Sequence, residues 1–355
     1  MSPYNSAPES ICIIRLSAIG DCCHVLPIVR TLQNTWPDTP ITWIIGKTEY
    51  SLLTGANGIE FITFDKNKSL ASWLDIRRQL KGRKFSVLLN MHASMRANLI
   101  STAVNANRRI GFDRARARDY QWLFTNEQIP AVKHQHVMDG LFGFAEYLSI
   151  NNRNESWNIP VDEAEHEYTK ALRNSNQPLC IISPCSSQRA NNFRNWSIDN
   201  YIKLIKYMQD KYNAQIVLTG AATKIEQEYA HGILAGTQQV TNLIGQTGLK
   251  RLLALIDCAD LLICPDSGPA HMATAVNTPV IGLYATSNPE RTGPYKSKHL
   301  TVNQYPQAIA KEFGKAIQEL RWGQRVRDPE AMGIISVQDV IEKVDCVLAK
   351  PSVVN

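Results

Sequence analysis

LLICPDSGPAHMATAVNTPVIGLYA, residues 261–285, holds a strand, a helix and a second strand in one short run. LLICPD and PVIGLYA are short and almost wholly apolar, the pattern of strands buried on both faces. Between them PAHMATAV has small side chains behind Pro269, a residue suited to a first helical turn. A strand followed by a crossover helix and another strand makes a parallel pair within one sheet.

The pattern repeats outward from this run. PLCIIS (178–183) and QIVLTG (215–220) read as further strands, with NYIKLIKYMQDKY, TKIEQEYAHGIL and LKRLLALIDCA as helices. Upstream, ICIIR (11–15), ITWIIG (41–46), IEFITF (59–64) and FSVLLNM (85–91) are the same kind of run. A helix is expected from Cys22 to about Asn34, with Val25, Leu26, Val29 and Leu32 on one face. SLASWLDIRRQLKG is expected to be helical and closed by Gly82, and another helix covers Gly140–Leu148. The polar stretch Asn151–Pro178, with a helix in AEHEYTKALRN, separates the halves. The expected architecture is α/β: two Rossmann-like domains, 1–165 and 175–332, and a final amphipathic helix within 335–350. In such sheets ligands sit beyond the carboxyl ends of the strands.

A chain of 355 residues has room for two such domains, and 44% hydrophobic content can fill both cores. The opening MSPYNSAPES lacks the apolar segment of a signal peptide. No apolar run approaches the ~18 residues needed to span a bilayer. A cytoplasmic protein is expected. The eight cysteines show no C-x-x-C spacing, and most sit in runs such as ICII and LLIC, where Cys packs as a small hydrophobe. Neither a zinc site nor a disulfide framework is expected.

The net charge of +6 is unevenly spread. Arg77, Arg78, Lys81, Arg83, Lys84, Arg96, Arg108, Arg109, Arg114, Arg116 and Arg118 fall in one stretch that holds a single acid, Asp113. One reading is a solvated basic face. The other is a surface for an anionic partner.

Four loops follow strands. Arg15–Asp21 has one glycine and so no dinucleotide fingerprint. Its Asp21 can cap the following helix or take a proton from an attacking hydroxyl. Cys264–His271 leads from a strand into a helix whose exposed N–H groups suit a diphosphate. Asp266 or Ser267 can cap it, and His271 falls in its first turn. Pro184–Trp196 offers Ser186, Ser187 and two arginines, Arg189 and Arg194, for phosphate oxygens. Trp196 is expected to pack. Ser287–Pro294 is turn chemistry. No D-x-D and no His/Glu cluster has metal-ligand spacing, so no metal and no cofactor is expected.

Together, IIRLSAIGDCCHVLPIVRTLQ, RRIGFDRARARDYQWLF, the R-N-W of FRNWS, LLICPDSGPAHMATAVNTPVIGLY and NPERTGPY resemble glycosyltransferase family 9, the bacterial lipopolysaccharide heptosyltransferases. The resemblance runs in order from residue 13 to 295. It implies the GT-B fold: an N-terminal acceptor domain, a C-terminal donor domain, a site in the cleft between them and a last helix crossing back. It implies ADP-heptose as donor, a Kdo-lipid A acceptor, and peripheral contact at the cytoplasmic face of the inner membrane. Asp21 then matches the catalytic base, and Ser267, Gly268 and His271 the diphosphate turn beside Asp266. Arg194 stands where the family commonly has a phosphate-contacting lysine. Ser186 and Ser187 match neighbouring contacts, and Glu226 a ribose contact. The acceptor side is expected to use Ser17, Gly20, His24, Arg96, Arg114, Arg116 and Arg118. Pro184-Cys185-Ser186 departs from the usual Pro-Gly-Ala, and Ala285-Thr286-Ser287 from Gly-Pro-Thr. The detail is most like the first-heptose enzymes, with a second-heptose or another family 9 enzyme as the alternative. A nicotinamide-dependent oxidoreductase, a non-hydrolysing nucleotide-sugar epimerase and a non-catalytic binder of anionic glycolipid or nucleic acid are the readings from other classes.

Overall fold

The computed structural model describes residues 6–187 and 191–349. The chain divides into two compact units, Met1–Pro160 and Val161–Asn355. The first runs β1 (Ile11–Ile14), α1 (Ile19–Thr35), β2 (Ile41–Gly46), α2 (Lys47–Leu53), β3 (Ile59–Phe64), α3 (Ser69–Gln79), β4 (Phe85–Asn90), α4 (Met95–Ser101), β5 (Ala106–Gly111), β6 (Glu127–Gln128) and α5 (Val137–Tyr147). The second runs α6 (Glu163–Leu172), β7 (Leu179–Ile182), α7 (Ile198–Tyr212), β8 (Gln215–Leu218), α8 (Lys224–Gly236), β9 (Val240–Asn242), α9 (Leu249–Asp257) and β10 (Leu261–Pro265). It continues with α10 (Gly268–Val276), β11 (Val280–Tyr284), α11 (Pro289–Thr292), β12 (Val302–Asn303), α12 (Tyr305–Phe313) and α13 (Val337–Leu348).

Each unit is built on a parallel sheet of six strands. The orders are β3-β2-β1-β4-β5-β6 and β12-β11-β10-β7-β8-β9. Counted from its own first strand, each sheet has the same order, that of the doubly wound dinucleotide-binding fold. The chain builds outward from β1, then restarts on its other side at β4. In the second unit it does the same from β7 to β10. Ile11 therefore lies opposite Ile41 on one side and Val87 on the other. β1, β7 and β10 are buried along their whole length, which is why they read as unbroken apolar runs.

The quoted run 261–285 folds as β10, α10 and β11, with β10 paired to β11 and β7. Strand β5 was not legible, because ANRRIG has Arg108 and Arg109 where an apolar run would be sought. Both arginines are held inside the fold. Arg108 pairs with Glu127. Arg109 donates to the carbonyls of Ser101, Val104 and Phe124 at 2.7–2.9 Å.

Helix α1 contains Pro27, which cannot donate to the carbonyl of Cys23 one turn back. The indole Nε1 of Trp157 donates to that carbonyl instead, at 2.7 Å, and the ring is 3% exposed. Trp157→Phe keeps most of the packing but leaves a buried acceptor unpaired. A loss of about 1–3 kcal/mol is expected, read as a lower urea midpoint.

The last helix was expected to cross back to the first domain. Within the second unit, α13 packs against α7. Tyr207 and Tyr212 donate to Asp345 at 2.8 Å each, and Lys211 pairs with the same carboxylate at 2.9 Å. Just before it, the Ile335 carbonyl accepts from Trp196 Nε1 at 2.9 Å. Trp196 is fully buried, a packing residue as its sequence context suggested.

Candidate active site

The order of each sheet reverses between its first and fourth strands, and the loops leaving those two strands form a crevice at the carboxyl edge. In the first unit these are the loops after β1 and β4. Asp21 is the third residue of α1, and its Oδ2 accepts from the Ala18 N–H at 3.1 Å. The carboxylate therefore does help to cap the helix. The same oxygen pairs with Arg15 Nη2 at 2.6 Å, while about a third of the side chain stays exposed. Arg15 is fixed from behind, donating to the Met91 carbonyl at 2.7 Å. Gly46 lies against this loop: its N–H donates to the Leu16 carbonyl at 2.9 Å, and a Cβ there would come within 2.3 Å of that oxygen.

His92 follows β4 and was not singled out in the sequence. Its Nδ1 accepts from the Leu16 N–H at 3.2 Å, which joins the two switch-point loops. Burial, reinforced by the Arg15 and Arg96 guanidiniums against the opposing pull of Asp21, lowers its pKa from 6.5 to about 3. The folded state keeps this imidazole neutral where the unfolded chain would protonate it. Stability should therefore fall as pH drops from 6.5 towards 3, by at most about 1.4 kcal/mol per pH unit. His92→Asn is expected to flatten that part of the unfolding-midpoint profile. An unchanged slope would mean that His92 is not its source. Glu49, in the first turn of α2, is a second carboxyl near Asp21. Burial pushes it above the usual range, and the neighbouring Asp21 adds to the rise.

The basic stretch 77–118 does not make one face. Lys81, Arg83 and Lys84 precede β4 and lie at the amino edge of the sheet, while Arg96 and Arg114–Arg118 lie beyond its carboxyl edge. Asp119 brings the latter together, accepting from the Met95 N–H at 2.8 Å while its carbonyl accepts from Asn98. Arg96, Arg114 and Arg118 are exposed, and Arg114 stacks 3.5 Å over the Trp122 ring. Two of the expected acceptor residues also make contacts within the fold. Arg116 pairs with Asp113 and donates to the Pro130 carbonyl at 2.8 Å, which locks its loop. His24 is 3% exposed and packs edge-on against His136 of the α5 cap. Ser17 is half-buried and Gly20 buried beside Asp21.

The matching loops of the second unit follow β7 and β10. Asp266 directly follows β10 and is buried. Burial alone would raise its pKa, but Arg194 at 3.3 Å, Arg325 at 3.2 Å and the Ser287 hydroxyl at 2.8 Å outweigh it and hold the carboxyl below the usual range. Arg194 also donates to the Asp266 carbonyl at 2.9 Å. Two guanidiniums against one carboxylate leave a net positive charge at the start of α10. No side chain caps that helix, although Ser267 occupies the cap position. Ser267 Oγ is buried without an oxygen or nitrogen partner, with the Cys264 thiol beside it. Gly268 and the 8%-exposed His271 complete the first turn.

Ser186 is buried, tied through its N–H to Asn195 at 2.9 Å and through its hydroxyl to Asn192 at 2.8 Å. Ser187 is exposed, and Arg189 lies outside the described residues. Glu226 stands apart, after β8. Its carboxylate accepts from the Ala221 N–H at 2.8 Å and from the Thr223 hydroxyl, tying down the turn that leads into α8. Arg325 and Ser287 were the partners that sequence reasoning missed. Ser287 lay in a loop read as turn chemistry, and Arg325 in an irregular stretch without periodicity. Among the described residues no group of three or more His, Cys, Asp and Glu is placed to hold a metal ion.

A carboxylate at one switch point and an anion-attracting helix start at the other are the parts a group-transfer enzyme needs. The model of glycosyltransferase family 9 (heptosyltransferase) matches residues 73–322, and the chain belongs to that family. It is 38% identical over 342 residues to the lipopolysaccharide core heptosyltransferase OpsX of Haemophilus influenzae, spanning 96% of this chain and 97% of that one. It is 25% identical to lipopolysaccharide heptosyltransferase 3 of Escherichia coli K12, over 76% and 80% of the two chains. Among solved structures, a family 9 glycosyl transferase from Veillonella parvula superposes with a TM-score of 0.80 at 18% identity, covering 96% and 97%. E. coli heptosyltransferase WaaC with ADP superposes with a TM-score of 0.67 at 17% identity, covering 83% and 93%. The fold is thus the GT-B fold of these transferases. Family membership also sets aside the oxidoreductase and the non-catalytic binder.

Proposed function

We propose that this glycosyltransferase moves L-glycero-D-manno-heptose from ADP-heptose to a Kdo of the lipid A inner core, with inversion and without a metal ion. The observation that carries the reading is the matched placement of Asp21 and the Asp266–His271 turn, each at the switch point of its own sheet. The near full-length likeness to a lipopolysaccharide core heptosyltransferase supports the sugar and the acceptor.

In this mechanism Asp21 takes the proton of the acceptor hydroxyl as that oxygen bonds to the anomeric carbon. The bond from the anomeric carbon to the β-phosphate oxygen breaks, and ADP leaves with the electron pair. Arg15 and the Ala18 N–H hold the Asp21 carboxylate in place. The leaving diphosphate is received by the first turn of α10, by the unpartnered Ser267 hydroxyl and by Arg194, so leaving-group charge is met by protein cations and a helix terminus. The exposed arginines Arg96, Arg114 and Arg118 face an acceptor rich in carboxylate and phosphate.

The test is ADP release from ADP-heptose in the presence of Kdo-lipid A and a chelator. Release that requires the acceptor and survives chelation is the expected result. Release only on a heptosylated acceptor would assign the second-heptose step, and loss on chelation would remove the metal-free mechanism.

A further inference from the structure

Arg325 brings a second guanidinium to a carboxylate that already has one. The segment that carries it, 324–328, has no helix or strand, yet it is held at several points. Val326 is buried, and its N–H donates to the Thr286 carbonyl at 3.1 Å. The Gln324 carbonyl accepts from the Tyr305 hydroxyl at 2.9 Å. Glu312 accepts from the Arg327 and Asp328 N–H groups at 2.7 and 2.9 Å. The arginines on either side of Val326 reach the two switch-point loops of this unit. Arg327 donates to the Asn191 carbonyl, after β7, at 2.6 Å, and Arg325 to the Asp266 carboxylate, after β10, at 3.2 Å.

One cation would balance Asp266, and Arg194 is already fastened there by the carboxylate and the backbone carbonyl. Arg194, Arg325 and the Ser287 hydroxyl all meet the same oxygen, Oδ2. Ion-paired N–H···O bonds usually close to about 2.7–2.9 Å. At 3.3 and 3.2 Å neither guanidinium is drawn fully onto that oxygen. Arg325 spends only Nη1 on it. Its Nε and Nη2 have no hydrogen-bond partner among the described residues, and the side chain is 32% exposed. Along its own segment Asp328 is taken by Lys311 at 3.0 Å. A part-buried cation without a matching acid is costly unless an anion joins it. Next to it are the uncapped N–H groups of α10 and the unpartnered Ser267 hydroxyl. Guanidinium, helix N–H groups and hydroxyl are all donors, the complement of phosphate oxygens.

We propose that Arg325 is a direct contact of the departing diphosphate, a second forked donor beside Arg194. The inference rests on the ADP-linked donor proposed above. The bound diphosphate supplies the negative charge that the arginine pair lacks. As the bond from the anomeric carbon to the phosphate oxygen breaks, the guanidinium meets the charge left on the phosphate. Its test is calorimetric binding of ADP and of adenosine to the full chain, with no sugar and no acceptor present. Arg325→Gln should weaken ADP about 10- to 100-fold, the usual weight of a hydrogen bond to a charged group, and leave adenosine unchanged. Arg325→Lys keeps the charge, should recover part of the ADP affinity, and serves if the glutamine variant fails to fold. An equal loss for both ligands, or a lower unfolding midpoint with ADP affinity intact, would confine Arg325 to balancing Asp266 and overturn the assignment. A wild type that binds no ADP overturns it as well. A chain that binds ADP through Arg325 but transfers no heptose refutes only the function proposed above.

Discussion

Asp21→Asn should lower turnover about 100- to 10,000-fold, the usual worth of a general base, while ADP binding stays near wild type. The choice of asparagine separates the two jobs of this side chain. An amide oxygen can still accept from the Ala18 N–H, which the carboxylate does at 3.1 Å. It cannot take a proton, and it gives Arg15 no charge to pair with. Asp21→Ala removes the cap as well and should cost a further 0.5–2 kcal/mol or so of stability. Wild-type turnover in the asparagine variant would reduce Asp21 to a helix cap. A loss confined to the apparent affinity for the acceptor would make it a binding group.

Asp266→Ala should be among the most destabilising single changes in the second unit, by about 3–5 kcal/mol. At the size of this unit that is a fall of roughly 10 °C in Tm. The change strips the Asp266 carboxylate from between Arg194 and Arg325 and leaves two part-buried cations near a helix N-terminus. The folded-state pKa of Asp266 is depressed, so its stabilisation is present above the unfolded value of 3.8 and is lost as pH falls through the lower folded value. Acid unfolding of the wild type should therefore carry a component below pH 3.8 that the variant lacks. Arg325→Ala in the Asp266→Ala background should recover part of the loss. Additive losses would mean the two groups are not coupled.

Strands buried on both faces announced themselves, because a run such as LLIC has no polar position to interrupt it. The loops after them were the place to search, and that rule singles out Asp21, Arg194, Asp266 and Ser267 as candidates. What stayed hidden depends on partners distant in sequence. β5 is a strand in spite of its arginines, since Ser101, Val104 and Phe124 offer carbonyls to Arg109. Arg325 meets Asp266 from 59 residues away. His92 followed an apolar run and could have been caught as the polar group leaving β4, but only the strand order places that loop beside β1. The basic stretch misled for a related reason. Charge density along a chain says nothing about which edge of a sheet each residue reaches, and two of the arginines lie within β5 itself.

The bond from Trp157 to the Cys23 carbonyl also bears on the order in which the first unit can be finished. α1 is made early and carries a proline that leaves one of its own carbonyls open. The group that closes it lies 134 positions later, and the same late segment brings the Asn154 N–H to the Thr31 hydroxyl and the Trp157 carbonyl to Arg30. A nascent chain stopped at residue 150 would have every strand of its sheet and still lack the piece that satisfies its first helix. Completion of the unit is thus a late event in synthesis, timed by the emergence of one tryptophan.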